Sequence, residues 1–208
     1  MKVLYTNFTA VRDAGGRKKT HLMPLVDHAT KWGASWALGY HPNPELALEC
    51  LSMAHTNLVH VGLTLEDRII HHDQDSVYIR YRRFTAVLIR HRARISFSEN
   101  GARGNTAMES FNGRFKGESK SLFHEAANIW ELKRIIAEQT RYHNCRRRNS
   151  ALGYQLPIDY LVQEEILSQS AVALGLQPTQ TGAGFQPHVP PPISKQPVSY
   201  THLRAHET

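Results

Sequence analysis

Three positions in this 208-residue sequence carry side chains that could gather a metal ion. Asp73 closes the short apolar run "RIIHHD". Glu109 stands in "TAMESFNGRFKGES", a helical pattern that follows the glycine-rich stretch "ENGARGN". Asn7 interrupts "KVLYTNFTAV", which otherwise has the composition of a β-strand. Asn is depleted in strands because its side chain competes for the backbone's hydrogen bonds. Two carboxylates and a third oxygen from different elements suit Mg²⁺ or Mn²⁺, hard cations that take oxygen ligands and keep open positions for water or phosphate. Two such ions about 3.5–4 Å apart activate a water or a 3′-hydroxyl and stabilise the leaving oxygen of a phosphodiester.

Each residue also has a structural reading. Asp73 lies in "HHDQDS", where an Asp can cap a turn. Thr106-x-x-Glu109 fits a capping box at a helix start. His71 and His72 could join His143 or Cys145 around zinc, but nothing has zinc-motif spacing. Taken singly, the structural readings are the stronger ones.

The elements that must hold these residues follow from the patterning. Residues 2–11 form strand one, so Asn7 is expected mid-strand. "DAGGRKK" supplies a hairpin turn at Gly15-Gly16, and "THLMPLVDHAT" and "KWGASWALGY" form strands two and three of an antiparallel meander. A helix follows from Pro44, with Asn43 as its cap and Leu46, Cys50, Met53 and Ala54 on one stripe. "RIIHHD" is a short buried strand, "SVYIRYRRFTAVLIRH" a helix and "ARISFS" a strand. "TAMESFNGRFKGES" and "EAANIWELKRIIAEQTRYHNCRRR" are helices, the second with a 3.6-residue apolar period. Three antiparallel strands followed by βαβ units give an α/β fold, a mixed sheet with helices on both faces. The domain is expected over residues 1–165. Residues 166–208 read as a disordered proline-rich tail, and the closing "PVSYTHLRAHET" as a non-native extension.

The formal charge is +7, which points to a polyanionic partner. Arg80, Arg82, Arg83, Arg90, Arg92 and Arg94 fall in a window without one acid, residues 76–98. Arg141, Arg146, Arg147 and Arg148 form a second cluster, with Tyr142 and His143 interleaved. Both read as phosphate-binding surface. Two widely separated cysteines exclude a disulfide scaffold and fit a reducing cytoplasm. No run approaches the ~20 apolar residues of a membrane helix.

Spacing joins these pieces. "IIHHDQDSVY", then 35 residues between Asp73 and Glu109, then "SENGARGNTAMESFNGRFKGE" resembles the integrase-core transposases of bacterial insertion sequences, relatives of retroviral integrases. "VDHATKWGASWAL" is similar to that family's second and third strands, and "YHNCRRRNSALGYQLPIDYL" to its closing segment. The resemblance covers about residues 3–162.

The resemblance implies a ribonuclease-H-like, five-stranded mixed sheet and an Asp…Asp–35–Glu triad that holds two Mg²⁺ or Mn²⁺ ions. Asp73 and Glu109 match the second and third acids. Lys116 matches a DNA-contacting lysine two helical turns beyond Glu109, and Asn112 shares its face. With Arg82, Arg83, Arg146 and Arg147 these make the expected DNA-binding set. Asn105 matches a helix cap, and Asp27 a structural residue of strand two. The first acid belongs in a motif like "T-D-x-T". Here it reads Thr6-Asn7-Phe8-Thr9, so Asn7 occupies the catalytic Asp position. Asp13 is no substitute, since it falls in the following turn.

A core of this kind cuts and joins DNA, binds element ends and target, and works as an oligomer on DNA in the bacterial cytoplasm, at the nucleoid. The chain begins almost at strand one, so end recognition is expected from a separate helix-turn-helix protein or segment. With Asn7, metal affinity and nucleophile activation should both fall. The alternatives are a non-catalytic DNA-binding relic or regulator of transposition, and a ribonuclease-H-like nuclease. The segment "YHNCRRRNSALGY" counts against the nuclease.

Overall fold

The computed structural model describes residues 1–13, 16–73, 82–97 and 105–163. Its strands are β1 (Val3–Thr6), β2 (Thr9–Asp13), β3 (Lys18–Asp27), β4 (Gly33–Gly39), β5 (Ile69–His72) and β6 (Arg94–Phe97). Its helices are α1 (Pro44–His60), α2 (Arg82–Arg90), α3 (Thr106–Glu125), α4 (Ile129–Cys145) and α5 (Pro157–Gln163), with one 3-10 turn at Ser150–Leu152. The expected hairpin residue Gly15, the first part of the second helix (76–81), most of the glycine-rich loop and the tail lie outside the described residues.

β3 pairs antiparallel with β4 on one side and with both β1 and β2 on the other. β1 pairs parallel with β5, and β5 with β6. The expected single first strand is therefore two segments, Val3–Thr6 and Thr9–Asp13, filling one of five positions in the sheet. The cause sits across the ladder. Thr6 faces Leu25 and Thr9 faces Leu22, so the register runs on without an insertion, and Asn7 falls opposite Pro24. Proline has no N–H for the ladder. The Pro24 carbonyl accepts instead from the Thr6 hydroxyl, at 2.7 Å. Asn7 thus lies in a gap between two strands rather than mid-strand. Asp13, expected in a turn, is the buried last residue of β2.

The sheet separates two apolar layers. Leu4, Met23, Leu25 and Ile70 face α1 and α2, where Leu51, Leu58, Phe84 and Leu88 meet them. Val11, Leu22, Trp36 and Leu38 face α3 and α4, where Phe115, Phe123, Leu132 and Ile136 meet them. The α1 stripe forms as patterned: Asn43 Oδ1 accepts from Leu46 N at 2.9 Å, and Leu46, Cys50 and Ala54 are buried, while Met53 is half-buried. α2 is fastened by Phe84 and Leu88, each worth about 1.5–3 kcal/mol on burial.

The last long helix starts later than expected. α3 runs on through Glu125, and Asn128 begins a new helix by accepting from Trp130 N and Glu131 N. Glu131 reaches back to Ala127 N at 2.7 Å. "NIWE" is thus a capping signal that marks the break. The far end of α4 is tied to β4. Asn144 Oδ1 accepts from Gly33 N at 2.8 Å, and its amide donates to Gly33 O at 3.0 Å. Both groups are buried, so Asn144→Ala strands a backbone donor and an acceptor together. It is expected to cost about 2–4 kcal/mol, read from the midpoint of urea unfolding.

Candidate functional site

The sheet brings two of the three site positions to one level. In the parallel β1–β5 pair, Val3 faces Ile69, Leu4 faces Ile70 and Tyr5 faces His71. The same register carried two residues further sets Asn7 beside Asp73, just past the C-terminal ends of adjacent parallel strands. Open α/β sheets hold ligands at such ends. Side chains alternate along a strand, so both positions fall on the sheet face covered by α3. Tyr5 and His71, two residues earlier on that face, stack with centroids 4.8 Å apart. His28 packs on Tyr5 at 5.0 Å, and His71 Nδ1 lies 3.1 Å from Ser96 Oγ. This ring cluster beneath the site had no signal in the sequence beyond the apolar run around it.

The third position arrives on the helix. Asn105, fully buried, precedes α3, and its side-chain amide donates to the Thr6 carbonyl at 3.1 Å. It therefore corrects the expected capping role, since the side chain makes no cap hydrogen bond. It fastens the start of α3 to the residue before Asn7. Glu109 is in the first turn of that helix, exposed, with its N–H on Asn105 O at 3.1 Å. Thr106 is already inside the helix, so the capping box of Thr106 and Glu109 does not form. Asp73 is half-buried, and its carbonyl accepts from His72 Nδ1 at 2.6 Å.

Among the described residues no three His, Cys, Asp or Glu side chains are gathered closely enough to hold a metal. The triad positions supply two carboxylates and one neutral carboxamide oxygen. That set can offer oxygens to one hard cation but lacks the bridging carboxylate a pair would need. The zinc grouping of His71 and His72 with Cys145 or His143 is likewise not formed among the described residues. His143 donates from Nε2 to the Lys31 carbonyl at 2.9 Å instead. Asp27 is buried at the end of β3 and accepts from Thr30 N at 2.8 Å, closing the β3–β4 turn.

The proposed DNA-contacting residues part ways. Arg82 and Arg83 are exposed on the first turn of α2. Arg146 is exposed beyond α4, and Lys116 is half-buried on α3. Asn112 does not share an open face with Lys116: it is buried, and its Oδ1 has no hydrogen-bond partner. Arg147 grips Glu118 in a two-pronged ion pair, at 2.7 and 2.5 Å. That hydrogen bond holds the Glu118 carboxyl below its ordinary range and raises the guanidinium. Its charge is spent inside the protein.

A small groove between α3 and α4 is lined by Arg114, Glu118, Tyr142, His143 and Arg147, and by none of the triad positions. No described helix is long and apolar enough to cross a membrane.

No protein-family model matches the sequence, and no curated protein matches it. Its structure, however, is similar to retroviral integrase cores. A chain of the simian T-cell lymphotropic virus intasome, solved in complex with the PP2A regulatory subunit B56 gamma, superposes with a TM-score of 0.62 at 14% identity over 97% of this chain. This chain spans 60% of the length of that one. The HTLV-2 integrase catalytic core domain with magnesium gives 0.58 in its trimeric form, at 14% identity over 76% of this chain and 95% of that one. Its dimeric form gives 0.56, at 15% identity over 72% and 89%. The fold is therefore the α/β, ribonuclease-H-like fold of integrase catalytic cores.

Burial pushes His143 below the ordinary imidazole value, and this outweighs the opposing hydrogen bond to Lys31. The unfolded chain then takes up its proton first as pH falls. Stability present above the ordinary imidazole value is lost as pH drops through the folded one. In His143→Gln the loss of stability between about pH 7 and pH 5 should be shallower than in the parent, measured by urea unfolding at each pH. His21 and His91, also pushed down by burial, act in the same direction in both chains.

Proposed function

We propose that this chain is the catalytic core of an insertion-sequence transposase, of the class that cleaves DNA and transfers strands, and that Asn7 leaves it catalytically impaired. The observation that carries the reading is the register between β1 and β5. It ends at Tyr5 opposite His71, and continued two residues it would bring Asn7 level with Asp73, while Asn105 fastens the start of the Glu109 helix to Thr6. A site for phosphodiester chemistry needs carboxylates converging from those three elements, and this chain has them at two. Asp73, Glu109 and the Asn7 side-chain oxygen would hold Mg²⁺, the ion of the HTLV-2 core. When bound, that ion supplies Lewis acidity to the phosphate and to the attacking oxygen. Asn7 adds a neutral amide where the class places a full negative charge, and its NH₂ donor cannot bridge cations.

Arg82, Arg83 and Arg146 are the exposed cations assigned to DNA phosphates, and Lys116 is assigned to DNA beside Glu109. Work on two DNA ends implies an oligomer on DNA. The neighbours include an intasome and dimeric and trimeric cores, which supports that reading. A bacterial, nucleoid-associated setting and a separate end-recognising helix-turn-helix partner belong to the same proposal. A second reading, a DNA-binding relic or regulator without catalysis, is favoured by Asn7 alone.

Strand transfer with Mg²⁺ or Mn²⁺ should be at least roughly 100-fold faster in Asn7→Asp than in the parent, the scale of restoring one charge-stabilising group. Equal rates would refute the impairment. In a salt titration of DNA binding, Arg82→Ala should lower the log–log slope by about 0.9. Arg147→Ala should leave the slope unchanged, because Glu118 already neutralises that guanidinium.

A further inference from the structure

Two histidines from different elements meet where α1 passes the end of α2. His55 lies on α1, and His91 directly follows α2. Their ring centroids are 4.2 Å apart, with the planes tilted by 38°. Both rings are half-buried. His55 Nδ1 is fully covered and has no hydrogen-bond partner, so an imidazole nitrogen lacks any other engagement. This is an unusual way to leave a buried polar atom.

We propose that His55 and His91 form a binding site for a divalent first-row transition metal of the zinc, nickel or copper class, which clips α1 to α2. Imidazole is the ligand type these ions favour, whereas Mg²⁺ prefers oxygen. With metal–nitrogen bonds of about 2.0–2.1 Å, two imidazole nitrogens on one tetrahedral ion lie roughly 3.3 Å apart. With each nitrogen directed at the ion, the ring centroids must open from 4.2 Å to about 5 Å, a side-chain movement of roughly 1 Å. Among the described residues no third His, Cys, Asp or Glu joins the pair, so the remaining positions would be taken by solvent on the exposed side of the His91 ring.

Local charge acts in both directions. The last turn of α2 is closed by its own backbone, with His91 N on Val87 O, Ala93 N on Leu88 O and Arg92 N on Ile89 O, which leaves the helix dipole as a weak attraction for a cation there. Arg90 and Arg92 flank His91 and oppose one, although Arg92 is engaged with Glu66 at 2.8 Å. The consequence is mechanical. α2 carries Arg82 and Arg83, and the metal would tie that basic helix to α1.

The proposal stands apart from the transposase reading and is tested with ZnCl₂ on the full chain. Equilibrium dialysis should give one zinc equivalent more for the parent than for His55→Ala or His91→Ala, whatever other histidines bind. His91→Phe keeps a ring against His55 but removes the donor nitrogens, and should lose the same equivalent while circular dichroism reports an intact fold. Zinc should raise the thermal midpoint of the parent and of none of the three variants. The Asp73→Asn, Glu109→Gln double variant should retain the equivalent. Unchanged stoichiometry across the histidine variants, or loss of the equivalent in the carboxylate variant, would overturn the proposal.

Discussion

One hydrogen bond holds the candidate site together: the amide of Asn105 on the carbonyl of Thr6. Strand and helix reach this point from positions 99 residues apart in the chain. Among the described residues this bond pins the start of α3 to the sheet by direction as well as distance, which apolar contact does less well. Thr6 is used twice. Its carbonyl takes Asn105, and its hydroxyl takes the Pro24 carbonyl. Both bonds are buried, so each would be costly to leave unmade. The residue just beyond them, Asn7, is held at a fixed level while its own backbone is released from the ladder by Pro24.

That release explains the local oddity of the strand. Asn7 faces a proline that cannot donate, so the strand loses its regular pairing where the site begins. A gap with continuous register keeps the β1 and β2 side chains on their proper faces. Val11 stays in the α3 layer and Leu4 in the α1 layer. A slipped register would exchange the layers.

The basic composition is divided rather than uniform. Arg147 is consumed by Glu118, and Arg92 by Glu66. Arg82, Arg83 and Arg146 remain on the surface. Counting charges in the sequence treats all five alike. Which of them are already paired depends on acids that lie 26 and 29 residues away in the chain and meet them only after folding.

Much of the fold was legible beforehand. Period-2 and period-3.6 patterning carry strands and helices, and the order of antiparallel then βαβ units limits the sheet to few topologies. Asp73 and Glu109 were proposed from their spacing and the motifs around them, and the fold puts Asp73 directly after β5 and Glu109 in the first turn of α3. The break at Asn7 was not, although Pro24 was in plain view, because which residue faces a proline is a matter of register. The start of α4 was missed although "NIWE" signalled it. The sequence by itself determined the α/β class, and it supplied the proposed site positions Asn7, Asp73 and Glu109, since these are matters of residue type and local spacing. Only the tertiary structure decided that Asn105 fastens rather than caps, that Asn112 is covered, and that Arg147 is already paired. Each depends on a partner distant in sequence, and burial and hydrogen bonding are settled by which partner arrives.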